Sequence, residues 1–93
     1  MSKSIISNER VCYICGSHYG LEKHHCIHGY ANRKNAEKAG LWVYLCRIHH
    51  TGSRESAHMN AEIDLKLKQI AQTAYEKEHS REEFMKIFGR SWL

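Results

Sequence analysis

Two close pairs of metal-seeking side chains, Cys12-x-x-Cys15 and Cys46-x-x-His49, stand on either side of a His24-His25 doublet. Zinc takes four nitrogen and sulfur ligands in a tetrahedron, and pairs two residues apart on tight knuckles deliver them. The spacing therefore assigns Cys12, Cys15, Cys46 and His49 to one structural zinc, clamped from opposite sides. Four cysteines in a short chain could instead make two disulfides, or one Cys-x-x-Cys could be a redox pair. Against the first, the fourth member of the pattern is a histidine at the same spacing. Against the second, no βαβ pattern surrounds the pair. Cys26 competes for the zinc, but it stands alone on a strand, where a small buried hydrophobe is the expected role.

A structural zinc cannot use His24, His25, His50 and His58, so these ask for a second chemistry. Metal-assisted hydrolysis needs an activated water, a cation on the group under attack and help for the leaving oxygen. Neighbouring residues on a strand point to opposite faces, so His24 and His25 cannot both serve one ion directly. A neutral imidazole, with an ordinary pKa of about 6.5, can take a proton from water at physiological pH. The bland alternative for the doublet is one buried and one solvated histidine. His58 reads equally well as a ligand and as a surface residue. His18 and His28 read as surface or peripheral groups, and Trp42 and Tyr44 as core and sheet residues.

These side chains need elements to hold them. The chain contains no proline and no internal repeat. Residues 1–10 are polar and read as a flexible lead-in. Residues 11–16 form a knuckle, and residues 21–27 a strand carrying the doublet. His28-Gly29-Tyr30 is a turn. Residues 32–38 make a short helix or helical loop, with Gly40 where a C-cap glycine belongs. The apolar run 41–45 reads as a buried strand that delivers Cys46. Thr51-Gly52-Ser53 is a turn. Over 60–77, Ile63, Leu67, Ile70, Ala71 and Ala74 fall on one helical stripe, with Leu65 off it. Ser80 and Glu83 form a capping box for a last helix presenting Phe84, Ile87 and Phe88. The organisation expected is a single domain over 1–93, with knuckles and core in 11–60 and helices in 60–93.

A chain of 93 residues has a marginal core, and a metal staple is a common remedy. No apolar run reaches the roughly 18 residues of a membrane span, and the N-terminus lacks the apolar stretch of a secretion signal. The expected location is intracellular and cytoplasmic, where thiols stay free for metal. The net charge of +4 is uneven: residues 1–54 hold eight Lys and Arg against three Glu, whereas 55–93 hold six basic and seven acidic residues. The basic surplus lies with the metal-binding half and suits a polyanion such as nucleic acid, though ordinary solubility would also account for it. Arg33, Lys34, Lys38 and Arg47 are the candidate phosphate contacts.

A strand ending in His24-His25, a loop, a second strand running into Leu45-Cys46-Arg47-Ile48-His49-His50, and then a helix resembles the HNH endonucleases, which have a ββα-metal fold. Cys12-x-x-Cys15 fits the zinc-stapled branch of that family. The order His24-His25, Asn32-Arg33-Lys34, Gly40-Leu41-x-Val43-x-Leu45-Cys46 is also similar to small phage-encoded HNH nucleases. The resemblance covers residues 11–60. It implies an α+β, zinc-stabilised ββα-metal (His-Me finger) domain with C-terminal helices, cutting DNA to 5′-phosphate and 3′-hydroxyl ends. It makes His24 a ligand of a catalytic divalent metal (Mg, Mn, Ni or Zn), His50 a second and His58 a third, with His25 as general base. The family's middle Asn falls on Leu41 here, which leaves Asn32, and after it Asn35, to fix the loop and the base. A homodimer would suit paired cuts. The rival functions are a non-catalytic zinc-dependent nucleic-acid-binding module and a protein-interaction domain built on the C-terminal helices. Three histidines beyond the zinc set favour the enzyme.

Overall fold

The apolar run Leu41-Trp42-Val43-Tyr44-Leu45 supplies the inner strand, β2 (Trp42–Cys46), of which only Tyr44 is not buried. It pairs antiparallel with β1 (Leu21–His25), placing Leu21 opposite Cys46, Lys23 opposite Tyr44 and His25 opposite Trp42. The computed structural model describes residues 3–29, 31–52 and 60–93. Tyr30, Ser53 and the candidate ligand His58 lie outside the described residues. β1 ends two residues earlier than expected, although the Cys26 N–H still donates to the Leu41 carbonyl (3.0 Å).

The connection between the strands is α1 (Asn32–Ala39), a full helix. It stops at Gly40, whose φ of 74° lies in the left-handed region that only glycine enters without strain. A Cβ on Gly40 would also stand 2.5 Å from the Lys3 carbonyl oxygen. That approach exists because the segment read as a flexible lead-in is tied down. The Ile5 N–H donates to the Gly40 carbonyl (2.9 Å), and the buried Ser4 hydroxyl donates to the Trp42 carbonyl. Asn8 closes the segment on itself, accepting from the Ser4 N–H (2.9 Å) and donating to the Ser4 carbonyl (2.7 Å). Polarity suggested solvent, but these polar groups bond to backbone.

After β2 comes a π-helical turn, Ile48–Gly52. The long helix α2 (Ala61–Tyr75) is capped by Asn60, whose side chain accepts from the Glu62 and Ile63 N–H groups. The expected stripe faces inward, with Leu67 and Ala71 buried and Ile63, Ile70 and Ala74 half-buried; Leu65 is exposed. Gln72 is buried too. Its amide donates to Glu76 (2.7 Å) and Ser91 (2.9 Å) and accepts from the Trp92 N–H (2.8 Å), so its burial costs little. The capping box of Ser80 and Glu83 opens α3 (Arg81–Phe88), which buries Phe84 and Phe88. Phe84 meets Tyr75 and Trp92 edge-on, and together with Leu41, Val43, Leu45 and Leu67 these rings form one core in an α+β fold.

Candidate metal centre and histidine pocket

The first knuckle is shaped by its own backbone. The Cys12 N–H donates to the Ser17 carbonyl and the Gly16 N–H returns to the Cys12 carbonyl, both at 2.8 Å. The Tyr13 N–H docks this knuckle on the Tyr44 carbonyl of β2 (2.8 Å). β2 ends on Cys46, and the π-helical turn swings His49 back toward it. Cys15 Sγ and Cys46 Sγ are 3.8 Å apart, Cys12 Sγ and His49 Nδ1 3.8 Å, and Cys46 Sγ and His49 Nδ1 3.2 Å. All four ligand atoms lie within 4.8 Å of one another. A tetrahedron with Zn–S bonds of about 2.3 Å has S···S edges of about 3.8 Å and S···N edges of about 3.5 Å. Donor types and separations both fit, so Cys12, Cys15, Cys46 and His49 can hold a metal ion such as zinc.

The thiols already behave as a set. Burial pushes the Cys12 thiol up, but N–H groups of Cys46, Cys15 and Ile14 outweigh it and bring it down to about 6. For Cys15 the Ser17 N–H favours the thiolate, yet desolvation and the neighbouring Cys12 and Cys46 sulfurs together push it up. Metal binding would draw all three sulfurs to the thiolate form, and the thiolate favoured at Cys12 is a first ligand for it. Cys26 is outside this cluster. It is fully buried, and desolvation, with Asp64 adding to it, pushes its thiol up to about 12.

A consequence follows for Cys26. A thiol with a folded-state value of about 12 and an ordinary value of 9.0 favours the folded chain below pH 9. That advantage is lost as pH rises from 9 toward 12, at up to about 1.4 kcal/mol per pH unit. Urea unfolding across this range should show a shallower pH slope for Cys26→Ala than for the parent. Equal slopes would mean that Cys26 ionises as readily folded as unfolded.

The second grouping surrounds a cavity of about 220 Å³ lined by Lys23, His24, His25, His28, Arg33 and His50. His24 is buried, with its ring 5.4 Å from that of His50 and 6.3 Å from that of His28. His24 and His25 occupy alternate positions on β1 as the strand period requires, yet both border the cavity. Three of these histidines are held by carboxylates from three different elements. Glu37 of α1 meets His25 Nε2 at 2.8 Å, Asp64 of α2 meets His28 Nε2 at 2.8 Å, and Glu22 of β1 meets His50 Nδ1 at 2.9 Å. Burial acts to raise the Asp64 carboxyl, but bonds from Lys68 and His28 outweigh it and hold it below the usual carboxylate range. A carboxylate on one ring nitrogen fixes the ring and leaves the other nitrogen for metal or proton.

The remaining candidates are scattered. Arg33 borders the cavity, and Lys34 beside it on α1 is exposed. Lys38 lies over a different hollow with Ile5 and Tyr75, and Arg47 lies beside Cys15, Cys46 and His49. Leu41 is fully buried in the core. Asn35 donates to the Ile87 carbonyl (3.5 Å), toward α3. Asn32 opens α1 and is half-buried, whereas the side chain bonded to His25 is Glu37. Trp42 and Tyr44 pack edge-on at 5.1 Å, as sheet residues. His28, read from sequence as peripheral, lines the cavity, as does Lys23, while Glu37 and Asp64 hold two of its histidines; none of Lys23, Glu37 and Asp64 was singled out. Their partners stand 12 to 36 residues apart, so no local spacing announces them.

No helix among the described residues is long and apolar enough to cross a membrane. In comparison with known proteins, no family model, no curated protein and no solved structure matches the chain.

Proposed function

We propose that this chain is a metal-dependent DNA endonuclease of the HNH type, with β1, β2 and the helical segment beginning at Ile48 as a zinc-stapled ββα-metal element. The observation that carries the reading is the convergence of His24, His25, His28 and His50 on one open cavity beside Arg33. A zinc cluster alone stabilises a fold, and it gives no reason to gather four more imidazoles and a guanidinium. His24 and His50 would hold the catalytic metal; their rings are 5.4 Å apart, and the His28 ring stands 6.3 Å from that of His24. Such an ion supplies charge for the phosphate and the leaving oxygen.

His25 performs the proton chemistry. Its ring takes a proton from a water molecule, whose oxygen forms a new bond to phosphorus as the bond from phosphorus to the 3′ oxygen breaks. The 3′ oxygen leaves with a proton from solvent, giving 5′-phosphate and 3′-hydroxyl ends. Arg33 draws the phosphate toward the cavity, and Lys34 extends the positive edge along α1.

The test is cleavage of plasmid and branched DNA by the zinc-loaded protein with Mg, Mn, Ni or added Zn. Cutting that needs one of these ions, with 5′-phosphate ends, is expected. Intact DNA under every condition, with binding retained, would replace the enzyme by a non-catalytic zinc-dependent nucleic-acid-binding module.

A further inference from the structure

We infer that Glu37, with Lys23 behind it, is the positioning residue of His25, doing in this chain what no asparagine is placed to do; this rests on the nuclease reading for its catalytic consequence. Lys23 and His25 are two residues apart on β1 and so share a face. That face meets α1 at Glu37. The Glu37 carboxylate accepts from His25 Nε2 (2.8 Å) while Lys23 Nζ donates to both of its oxygens (3.1 and 3.2 Å). Lys23 Nζ in turn stands 4.3 Å from the centre of the Trp42 ring, across the sheet from His25. The ammonium is thus fixed by ring and carboxylate, and the carboxylate by ammonium and imidazole. The three side chains are 20 %, 33 % and 18 % exposed for Lys23, Glu37 and His25, so water competes only partly for these bonds.

The chemistry follows from which nitrogen is bound. A neutral imidazole carries one N–H, and a carboxylate can only accept. Glu37 therefore selects the form of His25 protonated on Nε2, leaving the Nδ1 lone pair as the proton acceptor of a residue that lines the cavity. When Nδ1 takes the proton of the attacking water, the imidazolium forms beside a carboxylate already in place. Nothing else needs to move. The asparagines offer no such contact. Asn35 points to α3, and the position matching the family's asparagine is the buried Leu41.

Two readouts test this on the full-length, zinc-loaded protein. The first needs no DNA. In ¹⁵N-labelled parent, His25 should give a downfield, slowly exchanging N–H proton attached to Nε2. Glu37→Ala should lose it with zinc content and far-UV spectrum unchanged. A parent proton on Nδ1, or a signal that survives Glu37→Ala, would overturn the inference. The second readout is cleavage by Glu37→Gln, which keeps the size and packing of the side chain but not its charge. The cleavage rate at saturating DNA should fall at least about tenfold, within the range of general acid–base effects, while DNA affinity stays at the parent value. A Glu37→Gln protein that cuts at the parent rate would reduce Glu37 to a packing contact. A parent that shows the Nε2 proton yet cuts no DNA would remove the nuclease reading and leave the Glu37–His25 pair standing.

Discussion

Cys12→Ser is expected to abolish both zinc binding and cooperative unfolding. Cys12 is buried in the core cluster with Leu45 and Cys46, so its sulfur is at once a candidate ligand and a packing atom. The cluster ties the knuckle before β1 to the end of β2, and between them lie β1 and α1, which carry most of the cavity. Structural zinc contributes on the order of 10–16 kcal/mol of apparent binding free energy. Small domains have about 5–15 kcal/mol of stability altogether, so losing the metal would remove most or all of the margin. Metal analysis should give one zinc per chain for the parent and none for Cys12→Ser. Calorimetry should show a cooperative transition only for the parent, and a strong chelator should convert the parent into the variant's behaviour. A zinc-free Cys12→Ser protein with the parent's melting curve would refute the structural role.

His25→Ala should silence cleavage without touching the metal cluster. His25 lies at the far end of β1 from Leu21, which is the residue paired with the candidate ligand Cys46. Its ring contacts Glu37, and none of the four cluster ligands is its hydrogen-bond partner. Zinc content and DNA binding should therefore stay at parent levels. General acid–base groups contribute about 10²- to 10⁴-fold, a loss visible on a simple gel. His50→Ala should also lose cleavage, but through the second metal, and excess Mn or Ni should partly restore it. Excess metal should leave His25→Ala silent, because what it lacks is a proton acceptor. Parent-rate cutting by His25→Ala would exclude the mechanism.

The sequence was most legible where a residue's partner lies within one turn. The Gly40 helix stop, the Ser80–Glu83 box and the inward stripe of α2 are local patterns, and all three are found. The four zinc-type ligands were legible because each knuckle brings two of them at fixed spacing. The carboxylates were not. Glu37, Asp64 and Glu22 reach their histidines only through the tertiary fold, which brings residues 12 to 36 positions apart together, and an isolated Glu or Asp in a string has no mark of its future partner. His28 was passed over for the same reason. The polar segment of residues 3–8 misled in the opposite sense, since Ser4 and Asn8 spend their polarity on backbone groups.

That N-terminal segment also bears on how copies of this protein meet one another. A two-stranded sheet has an open side on each strand, and unpaired carbonyls there invite the strand of another molecule. On β2 the carbonyls of Trp42 and Tyr44 point away from β1, and both are already taken, one by the Ser4 hydroxyl and the other by the Tyr13 N–H. The occupying chain is irregular rather than a third strand, so it takes these two carbonyls without presenting a new ladder outside itself. The stretch before β1 thus acts as insulation, keeping the most apolar strand of the molecule from templating sheet growth between neighbours.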